Sequence, residues 1–347
     1  MARRRRALVR SALLVLLVLS TLSACASQCV LLRDNRSDVV GMDGSASIDL
    51  GGGRSLFTFG DTFVGAIHAK REIVEMTDHS FAIVSNARAG TCFAGAEIVL
   101  DGVVRDSDWE ARDRFWPGHG ARVGATVVLF FVHARVIDPT DALGFEVRRA
   151  GVVQGPADAP LFDLNAAHFL PSGYLPGALL IQGDIAYVYM CRPDAGFECV
   201  VARTSLATLA DPKAYRYYVA GAGYTGTIDD ASTVASASAE FSVSFDTRLG
   251  TYLLVDIAPF AREVSLRTAA APEGPFGPRR TLAPCRLRDD EFCYGAKLHP
   301  QLSANRLGFI YVTYNTNLMQ YDPRSYAERP DLYWPRLVRL ELNEVLH

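Results

Sequence analysis

Three consecutive glycines, Gly51-Gly52-Gly53, join two short alternating runs, residues 45–50 (SASIDL) and 55–59 (SLFTF). Glycine reaches positive φ without steric cost, and a tight β-hairpin needs that at its turn. The spacing therefore predicts a hairpin, with Asp43 just before its first strand and Asp61 closing its second. The two aspartates are eighteen residues apart in sequence, and folding the hairpin brings them to the same end of the strand pair. Two carboxylates held side by side on a rigid sheet are the minimum equipment for acid/base work on a bond such as a glycosidic linkage.

Beyond this hairpin the chain reads as short strands separated by Gly, Pro, Asn and Asp, with almost no long amphipathic helical period. Five groups of strands stand out. The first continues through residues 79–85 and 96–100, and the second holds 125–136 and 145–150. The third opens near Asn165 and holds 177–181, 185–191 and 198–204. The fourth holds 239–244, 251–257 and 264–268; the fifth opens at Tyr294 and holds 307–314 and 337–342. Groups of three or four strands repeating every fifty to seventy residues fit the blades of a propeller better than a sandwich. The expected architecture is all-β, a five-bladed β-propeller over residues 39–347 as a single domain. The ring would close by pairing the two chain ends in one blade, with 337–342 as the closing strand. The stretches 205–218 and 270–281 read as irregular connections between blades.

The first 24 residues read as an export signal: a positive segment with Arg3 to Arg6 and Arg10, then an apolar run too short to span a bilayer comfortably. Leu22-Ser23-Ala24-Cys25 is similar to a bacterial lipobox, which implies cleavage before Cys25 and acylation of its thiol. Residues 25–38 would then be a lipid-anchored tether. The expected location is the bacterial cell envelope, lipid-anchored at the outer membrane or cell surface, or else secreted. An ordinary secretory signal with an incidental cysteine is the alternative. Six cysteines remain, Cys29, Cys92, Cys191, Cys199, Cys285 and Cys293, and an even number in an exported chain suggests disulfides. Proximity pairs 191 with 199 and 285 with 293, leaving Cys29 for Cys92, among fifteen formal connectivities. No Cys or His spacing suggests a zinc site. A net charge of −3 offers no basic surface for nucleic acid, and a monomer is expected.

FGDTF at 59–63, with an aspartate upstream, resembles the five-bladed propeller family that includes the bacterial endo-D-arabinanases, many of whose relatives are domains of unknown function. RTAAAPEGPFG at 267–277, YGAKLHPQLS at 294–303 and YWPRLVRLEL at 333–342 are similar to later blade signatures of that family. The resemblance covers most of the chain from about residue 39 onward. It implies a retaining glycoside hydrolase with Asp61 as nucleophile and Asp43 as acid/base, acting on a furanoside or related linkage of a polysaccharide. This chain has Met-Asp-Gly-Ser around Asp43 where the arabinanases have Thr-Asp-Leu-Gly, so the pocket floor differs and the sugar stays open.

The starts of the innermost strands supply the other candidates, because these line the hub of a propeller. Glu240 opens the fourth blade among apolar neighbours, and a carboxylate there must face the hub or be paired; it is the third acidic candidate. Trp116 could stack on a sugar ring and His119 could donate to a hydroxyl. Asn165 and His168 are expected to open the third blade's inner strand. His299 would orient a carboxylate or a central ion, and Asn315 (with Asn317) would bind sugar hydroxyls. Each of these also has a plain structural reading as core, turn or cap. No cofactor is implied, and a structural ion at the hub is left open. The rival function is a non-catalytic surface propeller that binds glycan or protein.

Overall fold

The computed structural model describes residues 27–341 apart from 106, 142 and 304–307. The export signal and Cys25 lie outside the described residues. The chain forms five antiparallel blades around a hub. Blade I is built on the inner strand Val39–Gly51, then Arg54–Ile67, whose far edge carries both Arg71–Thr77 and Ser80–Ser85. Blade II runs Asp113–Val123, Thr126–Val136, Phe145–Pro156 and His168–Phe169 outward. Blade III starts from Leu175–Gln182 and blade IV from Ser242–Asp246. Blade V runs outward from Glu291–Leu298 through Phe309–Leu318 and Arg336–Glu341.

The outermost strand of blade V is Ser27–Val30, paired antiparallel with Arg336–Glu341. The two ends of the described chain thus close the ring in one blade, as expected. This corrects the tether: residues from Ser27 onward belong to the ring. Cys29 on that closing strand is bonded to Cys92, which follows blade I, and so clasps blade V to blade I. Cys191–Cys199 and Cys285–Cys293 are the other two disulfides, and all three are the pairs that proximity suggested.

The core is divided into wedges, one between each pair of neighbouring blades. Along Thr126–Val136 the side chains alternate between two of them: Val127, Leu129 and Phe131 pack against Ile48, Leu50 and Leu56 of blade I. Val128 and Phe130 pack against Ala186, Val188 and Met190 of blade III. A strand buried on both faces reads as a continuous apolar run, which is why TVVLFF shows no polar alternation. Both runs of the first hairpin extend beyond the short strands expected. Each aspartate therefore sits inside a strand rather than at its end. The segment 96–100 contributes only a single bridge, Phe81 to Val99, and blade I's edge is shared between Ser80–Ser85 and Arg71–Thr77, the latter a strand not expected from the sequence.

Candidate active site

The pairing of the first hairpin explains how its two aspartates meet. The Gly51-Gly52-Gly53 turn has φ between 61 and 72° at all three residues, which fixes the register of the strands. Met42 pairs with Thr62 and Ala46 with Thr58, but the register shifts on either side of the Gly44–Phe59 pair. The resulting bulge leaves Asp43 opposite Gly60 and Asp61. Bulges bend a strand and re-aim side chains. Here the distortion extends through Gly44 (φ +92°) and Ser45 (φ +81°). Ser45, a non-glycine residue held at positive φ, is buried and donates to Thr313 Oγ1 at 2.9 Å.

The run FGDTF now has a physical reading, residue by residue. Phe59 fills the wedge between blades I and V, and Phe63 packs against Tyr326 and Tyr333 above it. Gly60 makes room: a Cβ there would lie 2.7 Å from Asp43 Oδ1, so the carboxylate rests over the bare α-carbon. Thr62 is buried and donates back to the Gly60 carbonyl (2.9 Å), and its hydroxyl also bonds Ser80 (2.8 Å). Asp61 stands between these locked neighbours.

Blades II, IV and V supply the surroundings. Trp116 Nε1 donates to Asp61 Oδ1 at 3.1 Å, and Arg114 Nε lies 4.0 Å from the same oxygen. Tyr294 donates its hydroxyl to Asp43 Oδ2 at 2.6 Å. Glu240, 46 % exposed, accepts from Lys297 Nζ at 2.9 Å, and that lysine is 3 % exposed. A Cβ on Gly295 (φ +62°) would stand 3.1 Å from Glu240 Oε2, so a second glycine makes room for a second carboxylate.

Burial pushes the Asp43 carboxyl up to about 8, helped by the negative charges of Asp61 and Glu240 and opposed by hydrogen bonds from Tyr294 and Tyr333. Burial also raises Asp61, but only to about 6, because the Trp116 hydrogen bond and the Arg114 charge favour its ionised form. The environment thus separates the two carboxyls: near neutral pH Asp43 holds a proton and Asp61 is mostly ionised. Desolvation pulls Lys297 down against the upward pull of Glu240 and Asp43. One protonated and one ionised carboxyl are what splitting an acetal requires. Among the described residues no cluster of His, Cys, Asp and Glu has the makings of a metal site.

Not every candidate from the sequence lies here. Trp116 holds Asp61 through its indole N–H and lies perpendicular to the ring of Phe145, so its first role is to orient a carboxylate. His119 lies at the hub and donates from Nε2 to the Phe241 carbonyl at 2.7 Å. His299 is fully buried between Ser47 (2.6 Å) and Thr313 (2.8 Å) and touches no carboxylate. Asn315 is also fully buried and donates to the Gly44 carbonyl at 2.9 Å, which braces the bulge from behind. Both expectations of ligand contact are corrected by that burial. Asn165 and His168 are misplaced more widely. They lie exposed at the outer edge of blade II, where His168 pairs with Val152, because the blade's third strand runs on to Pro156 and the chain then folds back along it. Tyr294, Lys297, Arg114 and Tyr333 were not singled out, although three of the four fall in the quoted runs YGAKLH and YWPRLV.

A family model described as "Domain of unknown function (DUF5005)" matches residues 31–342. No curated protein matches the sequence significantly. Among solved structures, a presumptive hydrolase from Bacteroides ovatus ATCC 8483 is similar with a TM-score of 0.66 and 19% identity, covering 88% of this chain and 86% of its own. The GH43_1 enzyme from Xanthomonas citri complexed with xylotriose aligns with a TM-score of 0.53 and 16% identity, covering 92% and 91%. An exo-β-1,3-galactanase from Phanerochaete chrysosporium, with β-1,3-galactotriose, aligns with a TM-score of 0.53 and 12% identity over 91% of this chain and 64% of its own. At these identities the likeness is one of fold.

Proposed function

The chain belongs to the DUF5005 family, and from that premise we propose that it is a glycoside hydrolase working through Asp43 and Asp61. The observation that carries this reading is the pair itself: two carboxyls on adjacent strands, opposed across a bulge, with their proton affinities driven apart by burial and by different partners. Asp43, protonated and held by Tyr294, serves as the acid that protonates the leaving oxygen. Asp61, ionised beside Trp116 and Arg114, attacks the anomeric carbon. The resemblance of FGDTF to the endo-D-arabinanase group favours a retaining mechanism, with carboxyls about 5–5.5 Å apart, over an inverting one, which leaves roughly 6.5–9.5 Å for water. Asp43 then returns as base to activate the water that releases the sugar.

The substrate class proposed is an oligo- or polysaccharide. Its support is the resemblance of FGDTF to the arabinanase group and the sugars bound by the fold's neighbours, xylotriose and β-1,3-galactotriose. A furanoside or related linkage is the finer reading. Purified protein incubated with arabinan, xylan and β-1,3-galactan, with NMR of the first anomer released, tests it. Hydrolysis with retained configuration is expected, and Asp43→Asn and Asp61→Asn should each lower the rate by about 10²–10⁴-fold while leaving the fold intact. Full activity in either variant ends the assignment. Binding without hydrolysis by the native protein would favour a glycan-binding propeller.

A further inference from the structure

Two blades that are not neighbours are directly connected on either side of blade I. The hairpin tip between the second and third strands of blade II meets the segment that follows Phe309–Leu318 in blade V. Asp141 and Gln320 form an antiparallel bridge, and Tyr321 N donates to the Thr140 carbonyl at 3.1 Å. Blade I, which carries the aspartates, lies between those two blades.

A closed circuit of contacts runs from this bridge to the carboxyls on both sides. On one side Phe145, at the foot of the hairpin, packs edge-on against Trp116 at 4.7 Å, and Trp116 holds Asp61. On the other, Tyr321 packs on Tyr326 at 5.3 Å and Tyr326 on Tyr333 at 6.0 Å, and Tyr333 hydrogen-bonds Asp43. The tip has its own framework: Ile137 N and Asp138 N both donate to the Gly144 carbonyl, and Thr140 N and Oγ1 both donate to Asp138 Oδ1. Ile137, Phe145, Met319 and Tyr321 leave exposed apolar surface along this rim, of the kind that faces a sugar ring well. Opposite it, Glu240 is half open to solvent.

We propose that the bridge closes the outward exit over blade I, so that a polysaccharide meets the aspartates only with its terminal sugar and the enzyme is exo-acting. An internal attack needs the chain to continue on both sides of the broken bond. Here one side is a wall of Trp116, Phe145 and Tyr321, and only the Glu240 side admits further sugars. The proposal rests on the hydrolase reading and narrows its substrate to chain ends.

The test compares viscosity with reducing ends released from arabinan, xylan and β-1,3-galactan. Val136 and Phe145 are paired, so an Asn-Gly turn can replace residues 137–144 and remove the bridge without cutting the sheet. The native protein should release ends with little loss of viscosity and yield one short product. The shortened variant, its folding checked by thermal melting, should lose viscosity several-fold faster per end released. A second variant, Asp141→Cys with Gln320→Cys, locks the bridge covalently and should keep the native rate. Rapid viscosity loss by the native protein, an unchanged pattern in the shortened variant, or a locked variant without activity each overturns the exo assignment while the hydrolase reading survives. No hydrolysis of any polymer by either native or shortened protein removes the hydrolase reading, and the exo assignment with it.

Discussion

The two ends of the propeller's hub both hold desolvated polar groups and yet are chemically opposite. At the lower end His299 is enclosed by Ser47 and Thr313, with Gln301 adding a hydrogen bond to Ser47 at 2.7 Å. Burial pushes its imidazole down to about 3, with the nearby His119 and Lys297 contributing, so it is neutral and satisfied. At the upper end Asp43 and Asp61 are also desolvated, but each faces another acidic group as well as its hydrogen-bond partners. The lower end holds a polar group whose needs the protein meets in full. The upper end holds groups whose needs conflict, and such conflict marks the place where a proton can be moved.

The comparison breaks most readily at the lower end. His299→Leu strips a partner from the hydroxyls of Ser47 and Thr313, but Ser47 keeps Gln301 and Thr313 keeps Ser45. Each lost hydrogen bond costs about 0.5–1.5 kcal/mol, so denaturant melts should show a loss of about 1–3 kcal/mol. Activity of the folded fraction should hardly change. Its folded pKa lies below the ordinary 6.5, so the native protein loses stability as pH falls from 6.5 toward 3, and the variant should lose that acid limb. An unchanged melting curve would mean that His299 does not hold the lower hub together.

A smaller effect of opposite sign is expected above it. The folded-state pKa of Asp43, about 8, exceeds the ordinary carboxyl value near 3.9, so the folded state binds the extra proton between them. Stability contributed by that proton is complete below pH 4 and is lost as pH rises through 8. Asp43→Asn cannot ionise and should be more stable than the native protein at pH 8–9 by about 1–2 kcal/mol, with no gain at pH 4. Part of the full shift is offset because Asp43 is only partly shielded from water. A variant destabilised at every pH would show Asp43 to be a structural residue like His299. The smallest change is expected of Tyr294→Phe, which removes a hydrogen bond that holds the Asp43 pKa down. The alkaline limb of the activity–pH profile should move to higher pH with the acid limb in place, whereas a uniform fall at all pH would point to lost packing instead.

Much of this was legible along the chain. The glycine turn, the alternating runs and the grouped strands were sufficient for a five-bladed ring, because each is a local property of two to twelve residues. Asn165 and His168 were misassigned because nothing local says whether a polar segment opens the next blade or doubles back as the edge of the last. Ala96 to Leu100 has strand composition, but among its residues only Val99 forms a bridge to a strand. Tyr294 and Lys297 were overlooked for another reason. A tyrosine and a lysine within an apolar strand look like core and surface until the strand's neighbours are known.

Residue order alone determined the hairpin that brings Asp43 toward Asp61, the glycine that makes room between them, and the two eight-residue disulfide loops, all of which close over short stretches. What only the closed ring decided is the company those carboxyls keep. Tyr294 reaches Asp43 across 251 residues and Trp116 reaches Asp61 across 55. Contacts that distant depend on the angle at which five wedges of core pack. Local chain preference sets no such angle, so the pKa split between Asp43 and Asp61 exists only in the assembled hub.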